Sequence, residues 1–175
     1  ISEAIEAVVK SEGKAKYALG SVLGHVLLHQ TINGNEAILQ MEQAGDYPDI
    51  IVGCTGGGSN LAGLMFPFLG QQLRGGHKID IIGCEPLSCP SFTKGTYAYD
   101  HGDMARMTPL IKMHTLGSDF LPPANHSGGL RYHGMSYHLS HLYNLGLMRA
   151  KAYGQKDCFE AGVIFGKQEG IIPAP

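Results

Sequence analysis

Apolar residues recur at the three- and four-residue spacing of a helix in two stretches near the start of the chain. The first stretch has Ser2 as a helix cap and Gly13 as a stop, with apolar positions at Ile1, Ile5, Val8 and Val9. The second runs from 21 to 45, with Asn33-Gly34 as its weakest point. Between the two, the short mixed segment 16–21 is predicted as a strand.

Two later stretches, 48–54 and 78–86, are continuously apolar, without the alternation of a half-exposed strand. Strands buried on both faces of a parallel sheet have this pattern. Between them, Ser59 is placed to cap a helix that carries Leu61, Leu64, Met65 and Phe68. The order strand, helix, strand therefore predicts a parallel α/β unit.

The stretch of roughly 60 residues from Pro86 to Gly146 is rich in Gly, Pro, His and Tyr and is predicted to be a long irregular insertion. Near its end, Ser136 is predicted to cap a helix that runs to Leu145. The segment 146–153 then predicts a fourth strand. A last helix should open with the capping box Asp157-x-x-Glu160.

These elements predict one α/β domain over residues 1–175, with an open, mostly parallel sheet and helices on both faces. The 43% apolar and 16% charged residues are values of a globular chain. A formal charge of −2 gives no basic surface for nucleic acid. The longest apolar runs are too short to span a membrane, so we expect a soluble, cytoplasmic protein.

Several side chains suggest chemistry, but each has a plainer explanation. Free thiols are favoured over disulfides or a zinc site for the four cysteines, Cys54, Cys84, Cys89 and Cys158. A polar loop and helix face is favoured over a metal site for His133, His138 and His141. We expect Glu85 to anchor a strand end, and Lys112 to be solvated or to lie along apolar surface.

The segment "GCTGGGSN", residues 53–60, connects the first predicted buried strand to the helix that follows it. In a parallel sheet, ligands collect at the carboxyl ends of strands. Three glycines permit a concave row of backbone N–H groups with no side chain filling the ligand's space, and the helix terminus adds positive potential. We therefore predict an anion site, with phosphate as the best match. The P-loop and dinucleotide-binding spacings are both lacking.

The stretch "GCTGGGSNLAGL" resembles the loop that holds the phosphate of pyridoxal phosphate (PLP) in tryptophan synthase beta chains. Further segments resemble the divergent second type of that chain in the same order, over essentially all 175 residues: "YALGSVLGHVLLHQT", "GCEP", "TPLIKMHTLG", "GGLRYHGM" and "EGIIPAP". The resemblance implies the fold of fold-type II PLP enzymes, with three αβα layers. It also implies a cytoplasmic enzyme that condenses L-serine with indole to give L-tryptophan and water.

Carried over position by position, the resemblance assigns the phosphate of PLP to Gly56, Gly57, Gly58, Ser59 and Asn60. It also implies a monovalent cation bound by the backbone carbonyls of Gly56, Tyr132 and Gly134. Arg131 stands where the major type has an acidic residue, and it is a candidate for closing the site over substrate. A homodimer and a tryptophan synthase alpha chain are the implied protein partners.

The resemblance also implies that the chain is a fragment, catalytically inactive by itself. The lysine that the family uses to form a Schiff base lies in a His-Lys-x-Asn context, which is absent from residues 1–175, and none of the nine lysines is assigned a catalytic role. Two alternatives stay open at this point. One is a stand-alone phosphate- or PLP-binding module, and the other is a different fold-type II enzyme of the threonine synthase or cysteine synthase type.

Overall fold

The computed structural model describes residues 1–174, which form five helices and five strands. The helices are α1 (Ser2–Lys10), α2 (Gly24–Ala44), α3 (Ser59–Leu73), α4 (Tyr137–Asn144) and α5 (Gln155–Glu169). The strands are β1 (Ile50–Cys54), β2 (Asp80–Pro86), β3 (Thr96–His101), β4 (Leu110–Thr115) and β5 (Arg149–Tyr153). Within this part of the chain, no helix combines the length and the apolar character that crossing a membrane requires.

A parallel three-stranded sheet with the order β1, β2, β5 forms the centre of the molecule. The two continuous apolar runs form its first two strands, so the prediction of an open parallel α/β sheet is confirmed. The strand predicted at 16–21 is wrong: Lys16, Tyr17 and Ala18 are exposed there, and the segment is irregular. No strand of residues 1–174 lies beside it to accept its backbone hydrogen bonds.

Helices pack densely on one face of this sheet. Ile51 and Ile81 are buried there under Leu61 and Phe68 of α3, and α2 packs against α3. On the other face, Ile50 and Val52 are 55% and 56% exposed. The second helical layer is therefore sparse within residues 1–174.

Helices α2 and α3 cross at two glycines. A β-carbon at Gly34 would lie 2.7 Å from the carbonyl oxygen of Gly63 and 2.8 Å from Cδ of Pro67. A β-carbon at Gly63 would lie 2.5 Å from the carbonyl oxygen of Gln30. The helix expected to be weak at Asn33-Gly34 is continuous, because the missing side chain lets the two backbones approach each other.

The insertion between Pro86 and Gly146 is more ordered than predicted. It contains the antiparallel hairpin of β3 and β4, in which Tyr97 pairs with His114 and Tyr99 with Lys112. The prediction of one irregular stretch is therefore wrong for 96–115. It holds for 121–133, where the structure has no regular element.

Of the four helix caps predicted from sequence, one is correct. The Ser136 hydroxyl accepts a hydrogen bond from the Leu139 N–H at the start of α4. At α1 the cap position is Ile1, so Ser2 is already helical and its side chain caps nothing. At α3 the cap position is Gly58, so Ser59 is already helical and its side chain caps nothing. At α5 the cap position is Gly154, which leaves Asp157 inside the first turn instead of at the cap.

The crossing of α2 and α3 makes a test of packing against helix propensity. Gly34→Ala improves helix propensity by about 1 kcal/mol, but its methyl group overlaps backbone, so we expect a net loss of stability of about 1 to 3 kcal/mol. Gly70→Ala in α3 is the matched control, because its β-carbon would meet only the flexible Arg74 side chain, 3.5 Å away. Urea denaturation should show Gly34→Ala destabilised and Gly70→Ala unchanged or stabilised. Equal stabilisation of both variants would contradict the crossing.

Candidate functional site

The glycine loop, residues 55–58, joins the carboxyl end of β1 to the start of α3. Thr55 is buried, and it fixes the loop to the neighbouring strand. Its backbone N–H and its hydroxyl both donate to the carbonyl of Cys84, at 2.7 and 3.1 Å. Gly58 has φ +97, a left-handed conformation that side chains rarely adopt. The loop therefore leaves the strand in one defined direction.

Each of the three glycines meets a different segment of the chain. A β-carbon at Gly56 would lie 2.8 Å from the carbonyl oxygen of Gly129, and one at Gly57 would lie 3.0 Å from the nitrogen of Val22. One at Gly58 would lie 2.8 Å from Sδ of Met135. A side chain here would displace protein instead of filling the ligand's space, so the physical reason predicted for the glycines is wrong. Close packing from three sides requires them.

The N–H groups of the loop form no hydrogen bonds with the segments packed on it. Within residues 1–174, the six consecutive N–H groups from Gly56 to Leu61 donate to no protein acceptor. The loop's carbonyls do have partners: that of Gly57 accepts from the Ser136 N–H, and that of Gly58 from the Ala62 N–H, both at 3.0 Å. Free donors at a helix N-terminus bind anions, and phosphate oxygens in particular.

Two side chains accompany these donors. Ser59 is 7% exposed, and its hydroxyl makes no hydrogen bond to the described residues. Asn60 is exposed at the second position of α3. The five residues predicted to hold a phosphate thus form one continuous turn, and their unpaired donors fit that group.

A segment that the sequence analysis missed lies against this turn. Val22 is 9% exposed and has φ 56, an unusual conformation for a β-branched residue. Within this segment, residues 21–23, the Leu23 N–H donates a hydrogen bond of 2.6 Å to the Ser21 carbonyl, which makes the turn tight. Strained backbone of this kind concentrates at functional sites. The helix predicted from 21 is wrong at its start, because α2 begins at Gly24 and Val22 is not helical. Gly20 and Gly24, which flank residues 21–23, are the sequence signal for this break.

A small apolar cavity of about 120 Å³ borders the same segment. Its lining includes Leu19, Val22, Ile111, Met113, Met135 and Tyr132. Val22 and Met135 are also the residues that pack on Gly57 and Gly58. Val22 and Met135 therefore lie between the cavity and the glycine loop.

Of the predicted cation ligands, Gly56 is in the glycine loop, and Tyr132 and Gly134 follow the residues 129–130 that pack on it. The Tyr132 carbonyl accepts the thiol hydrogen of Cys89 at 3.1 Å, and the Tyr132 hydroxyl donates to the Gly102 carbonyl at 2.6 Å. Burial raises the pKa of Tyr132 to about 12, so this phenol stays protonated. Gly134 forms an isolated bridge with Thr115, and Gly56 packs on 129–130.

Arg131, the candidate for substrate closure, is exposed and engaged with its own loop. Its guanidinium donates to the carbonyls of Pro122 and Asn125 at 3.1 and 3.5 Å. These bonds hold the irregular stretch 122–131 together. A role in closure would require Arg131 to release them.

Two buried carboxylates order the insertion. Glu85 is 2% exposed and accepts hydrogen bonds from the Phe92 N–H, the Thr93 N–H and the Thr93 hydroxyl at 2.9, 2.8 and 2.6 Å. This is the anchoring role predicted for it. Asp103, 1% exposed, accepts from Thr108 and from the Met107 N–H in the same way. Burial acts to raise the pKa of Asp103, but these hydrogen bonds outweigh it and hold that pKa below its ordinary value.

The three histidines considered for a metal site are separated by their environments. His133 is buried, with Nε2 2.9 Å from the His101 carbonyl and 3.9 Å from the Asp100 carboxylate. His138 and His141 are exposed on α4. The predicted polar surface therefore holds for α4 and is wrong for His133. Among residues 1–174, no three His, Cys, Asp or Glu side chains are arranged to hold a metal ion.

His114 is a buried histidine that the sequence analysis did not single out. It is 8% exposed and lies among the rings of Phe92, Tyr97 and Tyr143, at centroid distances of 5.0 to 5.8 Å. Neither ring nitrogen has a hydrogen-bond partner within the described residues. Burial lowers the pKa of His114, so the folded chain holds a neutral ring.

Comparison with known proteins identifies the relatives of this chain. No protein-family model matches it. The chain aligns over its whole length with proteins named tryptophan synthase beta chain 2: from Aquifex aeolicus at 57% identity over 178 residues, Thermotoga maritima at 55% and Methanosarcina mazei at 54%. It spans about two fifths of the length of these curated relatives, from 39% to 41%. Among solved structures, a threonine deaminase from T.th. superposes on 98% of this chain and 54% of its own, with a TM-score of 0.66 and 16% identity.

The fold is therefore that of the fold-type II PLP enzymes, as the resemblance implied. Within that class, the chain is homologous over its whole length to the tryptophan synthase beta chains of the second type, which confirms the family resemblance.

His114 predicts how stability depends on pH. An unfolded histidine takes up a proton near pH 6.5, whereas burial keeps His114 neutral below that pH. The unfolded state then binds more protons, so stability should fall as pH decreases below about 6.5. His114→Phe keeps a ring and removes two unpaired polar atoms. We expect it to raise stability by about 1 kcal/mol and to reduce the loss between pH 7.5 and 5.5.

The measurement is urea denaturation at both pH values. Tyr143→Phe is the control, because it alters the same aromatic cluster without removing a group that titrates in this range. An undiminished loss of stability in His114→Phe would show that His114 does not set the pH dependence.

Proposed function

We propose that this chain provides the cofactor-phosphate site of a PLP-dependent tryptophan synthase beta enzyme, which condenses L-serine with indole to give L-tryptophan and water. The observation that carries the proposal is the row of unpaired N–H groups from Gly56 to Leu61 at the N-terminus of α3. The 53% to 57% identity to proteins of that name supports the choice of reaction. The threonine deaminase likeness, at 16% identity, supports the fold alone.

The phosphate of PLP would be held by the backbone N–H groups of Gly56, Gly57, Gly58 and Asn60, and by the backbone and hydroxyl of Ser59. Because the glycine loop is packed from three sides, these donors are positioned before the ligand arrives, which lowers the cost of binding. When bound, PLP supplies the electron sink for chemistry at the carbon next to an amino group. The chain's own contribution is to bind and orient it.

The apolar cavity beside the loop is proposed to receive indole. At about 120 Å³ it suits a small, flat, apolar molecule, and most of its lining is apolar. The Tyr132 hydroxyl is already bonded to Gly102, so it presents no unpaired polar group to such a ligand.

The reactive lysine is proposed to come from outside this segment. All nine lysines of the chain are exposed. Lys10 and Lys156 pair with glutamates on their own helices, and Lys112 lies over the rings of Tyr97 and Tyr99. The segment by itself should therefore bind PLP reversibly and be catalytically inactive.

Further parts of the proposal concern ions and partners. A monovalent cation bound by the carbonyls of Gly56, Tyr132 and Gly134 would brace the loop against the stretch 129–134, which already packs on Gly56. A homodimer and an alpha chain are proposed from the family alone. Arg131 is proposed to act in closure if its bonds to the 122–125 carbonyls open.

An added negative charge beside the N–H row tests the phosphate site. Asn60→Asp places a carboxylate in the first turn of α3, where the helix dipole stabilises it by about 0.3 to 1 kcal/mol. The same carboxylate repels phosphate, so binding of PLP and inorganic phosphate should weaken at least tenfold, or about 1.4 kcal/mol. Equilibrium dialysis measures binding, and thermal denaturation measures stability.

Gln155→Glu is the matched control, because it adds the same charge at the start of α5. Its phosphate affinity should equal that of the wild type. If Asn60→Asp folds and binds phosphate as well as Gln155→Glu does, the N–H row is not the site.

A chimera tests the reaction. The aligned segment of the Aquifex aeolicus relative is replaced by this chain, and the product is assayed with serine, indole and PLP. We expect tryptophan, and we expect the same chimera with Asn60→Asp to need a higher concentration of PLP. A folded chimera that binds PLP and forms no tryptophan would contradict the proposed reaction, whereas one that fails to bind PLP would contradict the phosphate site.

A further inference from the structure

The strand register places two cysteines side by side at the carboxyl end of the sheet. Cys54 of β1 is the partner of Cys84 of β2, and Cys84 is in turn the partner of Lys151 of β5. Partners in a parallel ladder point to the same face of the sheet. The three side chains therefore form one row across three strands.

This row lies on the sparsely covered face. Along β1, Ile51 is buried under α3, whereas Ile50 and Val52, on the side of Cys54, are more than half exposed. Cys54 is exposed and Cys84 half-buried, and both are free thiols. The other end of the same face carries the ion pair of Arg149 with Asp80. The further thiol that acts on Cys84 at the carboxyl end is that of Cys158 of α5.

The spacing of the strands decides what two thiols can do there. Neighbouring strands lie about 4.8 Å apart, and the β-carbons of partner residues on the same face are separated by about the same distance. A disulfide needs β-carbons about 3.8 Å apart, so a direct sulfur–sulfur bond would draw the two strands together. An atom bound to both sulfurs at about 2.3 Å, the length of a zinc–thiolate bond, fits the native spacing.

We propose that Cys54 and Cys84 form a dithiol site for a soft, thiophilic centre, of which trivalent arsenic is the representative probe. Soft centres prefer thiolate sulfur to oxygen or nitrogen ligands. Lys151, the partner of Cys84 on β5, favours the thiolate form of Cys84 that the centre binds. This site lies on the face of the sheet opposite α3 and does not depend on the proposed enzymatic function.

The protonation of Cys84 does not prevent binding. Burial raises the pKa of this thiol, the thiols of Cys54 and Cys158 raise it further, and Lys151 opposes them. A coordinating centre removes the thiol proton on binding. With an organic arsenic(III) oxide, two As–S bonds form, the As–O bonds break, and the oxygen leaves with the two thiol protons as one water. No atom is oxidised or reduced.

The test uses this chain, reduced, with phenylarsine oxide as the probe. Bound arsenical is counted by intact mass after a wash with excess monothiol, which removes arsenic held by one sulfur and spares a chelate. We expect one arsenical per wild-type chain, released by a competing dithiol. Cys54→Ser and Cys84→Ser should each lower the affinity at least a hundredfold.

Two other thiols supply controls. Cys158→Ser removes the remaining exposed cysteine, and Cys89→Ser removes a buried thiol that is bonded to Tyr132. Both should retain the adduct, and circular dichroism confirms folding. Cys54→Ala is a second exposed variant in case Cys84→Ser does not fold. The proposal is overturned if the wild type keeps no adduct, if a folded Cys54 variant keeps it, or if Cys158→Ser loses it.

Discussion

The packing of three segments against the backbone of Gly56, Gly57 and Gly58 is the contact on which the site depends. Residues 21–22, 129–130 and 135–139 reach this loop from far apart in the chain, and each occupies the place of a missing β-carbon. These contacts occupy the positions of the missing β-carbons and leave the backbone N–H groups without partners. The absence of side chains at the three glycines therefore serves both the packing of the fold and the binding of a ligand. A larger residue at any of these positions would overlap the packed segments and lower the stability of the fold, whether or not a ligand is bound.

The parts of the fold that were predictable are those in which local pattern and tertiary packing agree. The continuous apolar runs correctly predicted β1 and β2 as neighbours in a parallel sheet. The burial on both faces that they also predicted is wrong for β1, because α3 covers one face and leaves Ile50 and Val52 more than half exposed on the other. The hairpin was not predictable in the same way. Its strands, TYAYDH and LIKMHT, combine apolar, aromatic and charged residues and show neither a continuous apolar run nor a regular alternation. The connection between the strands lacks a short turn motif, since the buried carboxylate of Asp103 orders it instead. A carboxylate that accepts backbone bonds several residues away leaves little trace in sequence.

The starts of the helices also include one that could be predicted from sequence and others that could not. Ser136 caps α4 because the chain before it is extended, so that its hydroxyl faces the first turn. At α3 and α5 the cap positions are Gly58 and Gly154, and not the predicted Ser59 and Asp157. In both cases a strand ends only a few residues earlier, so the chain must turn directly into the helix. The phosphate residues were predictable from glycine spacing and family resemblance together. The contribution of Val22 was not, because its strained conformation depends on packing against Gly57.

The two faces of the sheet meet at one residue. Cys84 points its thiol to the open face, while its carbonyl accepts both bonds from Thr55, the residue that begins the glycine loop. Cys54 is the residue directly before Thr55. The same two residues therefore contribute to both faces: their thiols lie on the open face, and the backbone at Cys84 fixes the start of the glycine loop. Because a centre bound to both sulfurs fits the native strand spacing, it leaves these two hydrogen bonds in place.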